Sequence, residues 1–265
     1  MAKIKVLVNG ATGKMGRTMA AGIAKEHDLQ IVSAVDVKLS GMDLGNLCGM
    51  EPFGVCIEED LGKAIEKSQP DVMVDFTNAQ AVLKNLRIAL PRKVACVVGT
   101  TGLGEKEMAE IEQLTKEYGT PAFFASNFAL GAVLMMRFAQ QAAAYFPNVE
   151  IIERHHDQKI DAPSGTAVST MKMIAKARKA FMQGTANEFE KIPCSRGGEY
   201  QGMRVHSMRL PGYIASQQVV FGGTGQILTI SHEAMSRETF LPGVLMAIRK
   251  VQSLSGLTRD LDSIM

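Results

Sequence analysis

The sequence predicts an α/β fold: a doubly wound parallel-sheet domain over residues 1–127, followed by a smaller α+β mixed-sheet domain over 128–236. Three observations support this division. Apolar strand-like runs alternate with helical patterns up to about residue 127, as in a parallel sheet covered on both faces. A glycine-rich turn follows the first of these runs. After residue 200, short strand-like runs follow one another without helices, which is typical of a mixed or antiparallel sheet.

The elements of the first domain follow in order. The apolar run IKVLV at residues 4–8 predicts a buried strand, an alanine-rich segment predicts a helix, and QIVSAVD at 30–36 predicts a second strand. The pattern then repeats, with helices predicted at 60–68, 80–90 and 104–119 and strands at 71–77, 94–101 and 121–127.

In the second domain, helices are predicted at 130–146 and 165–182, and strands at 148–156, 204–210, 216–222 and 227–233. The tail at 237–265 is amphipathic. It predicts a helix that packs back on the first domain, because its apolar face needs a surface to cover.

Composition excludes several classes of function. The chain is 46% hydrophobic and 21% charged with a net charge of +2, which gives no reason to expect a nucleic-acid or membrane partner. No stretch approaches the roughly 20 apolar residues of a membrane span, and no signal peptide is recognised, so we expect a cytoplasmic protein. The four cysteines lack metal-ligand spacing, so we expect no metal and interpret them as reduced packing residues.

Three glycines mark a candidate cofactor site. Gly10, Gly13 and Gly16 stand between a predicted strand and a predicted helix, where glycine allows a tight turn and close approach of the backbone to a pyrophosphate. The N-terminus of the helix adds unpaired N–H groups and a positive dipole. This context predicts a dinucleotide site.

The choice of dinucleotide depends on Asp36, which lies twenty residues beyond Gly16 at a strand end. A carboxylate there suits the ribose hydroxyls of NAD and repels a 2′-phosphate. Lys14, Arg17 and Lys38 are close in sequence and could hold that phosphate. We therefore expect both NADH and NADPH to serve, with NADH favoured.

Two further loops end later strands, where open α/β sheets bind ligands. Their small hydroxyl residues and backbone amides suit a nicotinamide ribose and carboxamide. The loops are Gly99–Gly102 and Ala125–Phe128.

The segment HHDQKIDAPSGT at 155–166 carries the chemistry. It begins with two histidines, which titrate near neutral pH, and Lys159 adds a cation. Ser164 is placed to cap a helix beginning at Gly165-Thr166, whose N-terminus suits a carboxylate. An anion pocket beside a proton donor predicts a reductase acting on a small carboxylated imine.

These motifs make the sequence resemble the 4-hydroxy-tetrahydrodipicolinate reductases, also called dihydrodipicolinate reductases, of the lysine and diaminopimelate pathway. The string ERHHDQKIDAPSGTA is the most specific, and the others occur in the family's order along nearly the whole chain. They are VNGATGKMG, VDFT at 74–77, VGTTG at 98–102, SNFALG at 126–131 and SR at 236–237.

The resemblance implies a Rossmann-type domain, a domain for the dicarboxylate substrate, a homotetramer, and hydride transfer from NADH or NADPH. It implies that His155 and Lys159 are catalytic. The implied substrate contacts are His156, Lys159, Ser164, Gly165, Thr166 and Arg237. The implied cofactor contacts are Gly10, Ala11, Thr12, Gly13, Lys14, Met15, Asp36, Gly99, Thr100, Thr101, Ala125, Ser126, Asn127 and Phe128.

One region departs from the family pattern. Where a motif of the form R-x-G followed by a histidine is expected, the chain has Arg209-Leu-Pro211-Gly212 and then Gln217. Two other functions stay open. One is another nicotinamide dehydrogenase on this scaffold, although a semialdehyde dehydrogenase would need a nucleophilic cysteine next to a helix start. The other is a non-catalytic redox sensor that binds the cofactor.

Overall fold

The structure is a computed structural model that describes residues 2–179, 182–185 and 187–265. The chain divides into two compact units. The first ends at Phe128 and resumes over Phe240–Met265, and the second is Ala129–Thr239. The sequence predicted boundaries after residues 127 and 236, and the structure moves them to 128 and 239.

The first unit is built on a seven-stranded parallel sheet, with strands numbered in chain order. They are β1 (Ile4–Asn9), β2 (Leu29–Val35), β3 (Ile57–Glu58), β4 (Val72–Asp75), β5 (Ala95–Val98), β6 (Ala122–Phe124) and β12 (Leu257–Arg259), in the spatial order β12-β6-β5-β4-β1-β2-β3. Every residue of β4 and β5 is buried, because helices cover both faces. The strand order reverses between β1 and β4, so the ligand crevice of such a sheet is expected at their carboxyl ends.

Six α-helices belong to the described part of this unit. They are α1 (Lys14–Ile23), α2 (Leu44–Leu47), α3 (Leu61–Ser68), α4 (Ala79–Ala89), α5 (Glu105–Tyr118) and α8 (Leu241–Val251). Asp43, Asp60 and Asn78 cap α2, α3 and α4 through their side chains, which satisfies N–H groups that a helix start leaves unpaired.

The C-terminal segment differs from the single helix predicted over 237–265. A 3₁₀ turn at Arg237–Phe240 precedes α8, and β12 then pairs with the edge strand β6. Helix α8 packs on β4, β5 and β6 and approaches α1 closely. A Cβ atom at Gly22 of α1 would lie 2.3 Å from Leu241 Cδ2, so any larger residue there would force the Leu241 side chain to move.

As predicted, the second unit is a mixed sheet; over its described residues it has five strands, with two α-helices packed on them. The strands are β7 (Asn148–His155), β8 (Gly198–Tyr200), β9 (Met203–Arg209), β10 (Ala215–Gly223) and β11 (Gln226–Ala234), in the order β11-β10-β7-β9-β8. Strands β7 and β9 are parallel and the other pairs are antiparallel. The helices are α6 (Leu130–Ala143) and α7 (Gly165–Ala177).

Both helices end earlier than predicted. Helix α7 stops because Arg178 is extended and its guanidinium donates to Pro147 O at 2.6 Å and Gln201 O at 2.9 Å. Residues 180–181 of the helix predicted over 165–182 lie outside the described residues. Alternate strand residues, such as Ile151, pack with α6 and α7 in the core of this unit.

The interpretation of the cysteines as packing residues is correct for Cys96, which is buried and whose thiol pKa is raised by burial. It is wrong for Cys56 and Cys194, which are exposed in connecting segments. Within the described part of the chain, no helix has the length and apolar character needed to cross a membrane.

Candidate active site

The glycine-rich turn is shaped by contacts that only glycine permits. Gly10 has a φ of +77°, and a Cβ atom on it would lie 2.8 Å from the carbonyl group of Phe76. A Cβ atom on Gly16 would lie 2.1 Å from Gly10 O. Gly13 caps α1 without any side-chain hydrogen bond, so the first turn keeps its backbone N–H groups for another acceptor. This cradle fits the pyrophosphate of a dinucleotide.

A groove of about 750 Å³ runs along this turn. That volume lies within the range of about 300–1,000 Å³ that is typical of cofactor pockets. Of the predicted cofactor contacts, Gly10, Thr12, Gly13 and Asp36 line the groove. Lys38 and the residues Asn78, Lys84 and Asn85 of the β4–α4 region also line it.

Asp36 lies beside the glycine-rich turn. Its carboxylate accepts from Thr12 N at 3.0 Å and from Lys38 N at 3.2 Å. A carboxylate has about four lone-pair sites, so capacity remains for ribose hydroxyls. Ala11 is fully buried, whereas Lys14 and Met15 form the first turn of α1.

A buried carboxylate that sequence reasoning did not single out lies at the reversal of strand order. Asp75 ends β4, is 0% exposed, and accepts from Asn9 Nδ2 at 2.9 Å and Asn85 Nδ2 at 2.8 Å. It also accepts from the backbone and hydroxyl of Thr77 and, at 3.2 Å, from Thr100 Oγ1. These neutral donors come from β1, from α4 and from the loops after β4 and β5. Asp75 therefore holds the groove's strand ends in register.

The two predicted nicotinamide loops follow β5 and β6. Gly99 accommodates the ring of Phe76, since a Cβ atom there would lie 2.2 Å from Phe76 Cε1. Phe128 makes an edge-to-face contact with the same ring, with 6.3 Å between centroids. Thr100 is fixed by Asp75, Thr101 and Ser126 are exposed, Ala125 is buried, and Asn127 is half-buried.

In the second unit, His155 is the last residue of β7 and shares a face with Glu153. The Glu153 side chain is 0% exposed, and its Oε2 lies 2.5 Å from His155 Nδ1. Arg209 of β9 makes a bidentate ion pair with Glu153 at 2.7 and 3.0 Å, and Ser164 N donates to Oε1 at 3.3 Å. Glu153 thus joins the catalytic histidine candidate to the start of α7.

The charge of Glu153 follows from these contacts. Burial acts to raise the pKa of Glu153, but the hydrogen bonds from His155 and Arg209 outweigh burial and hold that pKa at about 2. Sequence reasoning missed both Glu153 and Arg209. A glutamate two residues before His155 on a strand was the available signal, because it lies on the same face and must find a partner if buried.

In the loop between β7 and α7, the ammonium group of Lys159 pairs with the carboxylate of Asp161. Lys159 Nζ lies 2.6 Å from Asp161 Oδ1, and this hydrogen bond lowers the pKa of Asp161. Asp161 is 63% exposed, so the pair is open to competition by another carboxylate. Across the described residues, no group of three or more His, Cys, Asp or Glu side chains could hold a metal ion.

The predicted cap of α7 is confirmed. Ser164 is buried, and its hydroxyl accepts from Ala167 N at 3.2 Å. The helix begins at Gly165, where a Cβ atom would meet nothing within 4 Å, so the space beside this helix start is open. Thr166 follows Gly165 in the first turn, and His156 is half-buried directly after β7.

Arg237 is half-buried at the start of its 3₁₀ turn.

The region that departs from the family pattern, from Arg209 to Gln217, contributes a buried hydrogen bond near the site. Gln217 pairs in register with Glu153, is 4% exposed, and donates through Nε2 to Thr170 Oγ1 at 2.7 Å. It therefore links β10 to α7 at the level of Glu153 and the candidate catalytic residue His155.

Comparison with known proteins agrees with this geometry. The family model described as "Dihydrodipicolinate reductase, N-terminus" matches residues 4–128, and the model described as "Dihydrodipicolinate reductase, C-terminus" matches residues 131–265. A 4-hydroxy-tetrahydrodipicolinate reductase of Desulfitobacterium hafniense is 53% identical over 264 residues, which cover 99% of each chain. One from Moorella thermoacetica is 49% identical over 266 residues, covering 100% of this chain and 99% of the relative.

Solved structures give the same result. The dipicolinate-bound dihydrodipicolinate reductase of Paenisporosarcina sp. TG-14 superposes with a TM-score of 0.86 at 40% identity and covers 99% of this chain and 100% of that one. An amine dehydrogenase from Mycobacterium smegmatis has a TM-score of 0.68 at 16% identity, covering 97% and 95% of the two chains, and shares the fold alone. With both family models and full-length relatives in agreement, the chain belongs to the dihydrodipicolinate reductase family.

Proposed function

We propose that the chain reduces 4-hydroxy-tetrahydrodipicolinate to tetrahydrodipicolinate with NADH or NADPH, a step of lysine and diaminopimelate synthesis. The observation that carries the proposal is the segment 155–166, in which a histidine anchored to buried Glu153 precedes a capped helix start. Family membership and the activity named for the relatives support it. The dipicolinate in the Paenisporosarcina enzyme supports a small dicarboxylate ligand.

The proposed residue roles divide the segment in two. His155 and Lys159 move protons. After hydride adds to C4 of the substrate ring, they protonate the resulting enamine at the neighbouring ring carbon. His156, Lys159, Ser164, Gly165, Thr166 and Arg237 bind the substrate. The open space at Gly165 and the cationic Lys159 suit a carboxylate, because a helix N-terminus and an ammonium both favour an anion.

A bound nicotinamide cofactor supplies the hydride. The predicted contacts in the glycine-rich turn, at Asp36 and in the two nicotinamide loops hold it. Asp36 favours NADH, whereas Lys14, Arg17 and Lys38 are near enough in sequence to serve NADPH. Comparing kcat/KM for the two cofactors tests this preference, and a hundredfold preference for NADPH would contradict it.

We further propose a homotetramer in the cytoplasm. The family resemblance, which implies a homotetramer, is what supports this proposal. Light scattering coupled to gel filtration should give four chain masses, and cell fractionation should recover the chain with cytoplasmic enzymes.

Cofactor oxidation at 340 nm, with substrate made freshly from pyruvate and aspartate semialdehyde, tests the activity. We expect turnover, and we expect His155→Ala to lower kcat by about 10²–10⁴-fold, the usual contribution of a general acid or base. Folded protein that binds NADH without turnover would favour a redox sensor instead. That alternative is not favoured, because it leaves the His155–Lys159 loop without a role.

A further inference from the structure

We propose that Glu153 and Arg209 are a positioning pair: they keep the hydrogen of His155 on Nδ1, leaving Nε2 as the nitrogen that exchanges protons with the substrate. This inference rests on the proposed function, in which His155 moves the proton. It concerns two residues on neighbouring strands, β7 and β9, whose side chains meet at the end of the sheet.

The hydrogen-bond donors around Glu153 decide the location of the hydrogen. Arg209 donates NH2 to Oε1 and NH1 to Oε2, and Ser164 N donates to Oε1. A guanidinium and an amide N–H are donors only, and the permanent positive charge of Arg209 stabilises Glu153 in its ionised form, which accepts at both oxygens. His155 Nδ1, 2.5 Å from Oε2, must therefore carry a hydrogen in both the neutral and the cationic ring.

Arg209 limits the ability of Glu153 to accept a proton from His155. Its permanent charge neutralises the buried carboxylate, so Glu153 has little tendency to take the proton from the ring. The proton can then be exchanged only through Nε2. Without Arg209, Glu153 would be a buried anion balanced by the histidine alone, which favours a permanently charged ring.

The pair holds the loop at two points, and a backbone bond beside Arg209 adds a third. Arg209 NH2 donates to Asp161 O at 2.8 Å, Ser164 N reaches Glu153, and Leu210 N donates to His155 O at 3.1 Å. These bonds tie the beginning of the loop, its acidic middle and the start of α7 to two adjacent strands. The proton-moving residues and the proposed carboxylate-binding residues are thereby fixed relative to one another.

Two readouts test the pairing. Nitrogen-15 NMR of the histidine side chains, with His155→Ala to assign the signal, should find the Nδ1–H tautomer in the neutral wild-type ring. Glu153→Gln should move it towards Nε2–H, since the glutamine oxygen will face Arg209 and its amide nitrogen will face the ring. An Nε2–H tautomer in the wild-type chain overturns the proposal. This readout needs no turnover, so it stands even if the proposed activity is absent.

The second readout is a double-mutant cycle on kcat. Glu153→Gln should lower kcat at least tenfold in the wild-type chain and by less than twofold in the His155→Ala background, because Glu153 acts through His155. Equal losses in both backgrounds overturn the proposal. If Glu153→Gln fails to fold, Glu153→Gln with Arg209→Met removes the unpaired guanidinium and restores folding. Its kcat should stay low, and recovery to the wild-type value would mean that the pair is only structural.

Discussion

Replacing Asp75 with asparagine keeps the shape of the side chain but inverts one set of its hydrogen bonds. In the wild-type chain, Oδ1 accepts from Thr77 N, Thr77 Oγ1 and Thr100 Oγ1, and Oδ2 accepts from the amide groups of Asn9 and Asn85. Asparagine has one oxygen and one NH₂ group in place of the two oxygens. Thr77 N can only donate, so the NH₂ group takes the Oδ2 position, where it faces the NH₂ groups of Asn9 and Asn85 in their wild-type orientation.

The size of the effect follows from the number of bonds affected. With the NH₂ group at the Oδ2 position, two hydrogen bonds from Asn9 and Asn85 are lost in a site that is 0% exposed. Hydrogen bonds to a charged group contribute about 1.5–3 kcal/mol each, and relief of carboxylate desolvation offsets part of that loss. We expect a net destabilisation of about 3 kcal/mol, which corresponds to a fall in Tm of roughly 6–12 °C for a chain of this size.

Thermal unfolding followed by circular dichroism measures the loss of stability, and fluorescence titration measures the Kd for NADH, which should rise because the loops around the groove loosen. Glu112→Gln is the matched control, because it also replaces a carboxylate by an amide. Glu112 is 47% exposed on α5, pairs there with Lys116 and does not line the groove, so its replacement should have little effect. If Asp75→Asn changes Tm and NADH binding no more than Glu112→Gln does, the assignment of Asp75 as the organiser of the groove is wrong.

Four further predictions follow from the geometry. Ser164→Ala removes the cap of α7 and should lower the free energy of unfolding by about 1 kcal/mol in urea denaturation. Gly165→Ala places a methyl group where nothing lies within 4 Å, so Tm should not fall while KM for the dicarboxylate rises; an unchanged KM would argue against binding at this helix start. Gly16→Ala places Cβ 2.1 Å from Gly10 O and should weaken NADH binding at least tenfold by fluorescence titration. Because the pKa of Glu153 is lowered from 4.5 to about 2, its stabilisation is complete above pH 4.5 and is lost as pH falls towards 2. That loss is on the order of 3 kcal/mol, and urea unfolding of Glu153→Gln between pH 6 and pH 2 should lack it.

The order of strands and helices in the first unit could be predicted because buried parallel strands appear as continuous apolar runs, such as residues 4–8. Three short strands could not be predicted, although the three-residue strand β6 was, because it lies in an apolar run. β3, β8 and β12 are too short to show a period of two, and their positions depend on partners that are remote in the chain. Helix ends were predicted too late for the same kind of reason, since Arg178 ends α7 through contacts with Pro147 and Gln201.

At the candidate site, sequence alone identified residues that are adjacent in the chain. The His155–Thr166 segment and the cap at Ser164 involve residues close together in the chain, so they can be recognised as a sequence motif. The Glu153–Arg209 pair joins residues that are 56 positions apart and depends on the parallel register of β7 and β9. Two of the donors to Asp75, Asn9 of β1 and Thr100 after β5, likewise lie far from it in the chain and are brought to it by the sheet.

The pairing of β12 with β6 has a consequence for how the chain is made. The cofactor-binding unit needs α8 against β4, β5 and β6 and needs β12 at its edge, so its first 128 residues leave the ribosome with an uncovered apolar face and an open strand. All of the second unit, Ala129–Thr239, is synthesised before that surface can be covered. A nascent chain arrested before Leu241 should therefore be a substrate for chaperones and proteases, although it already contains every predicted contact for cofactor and substrate.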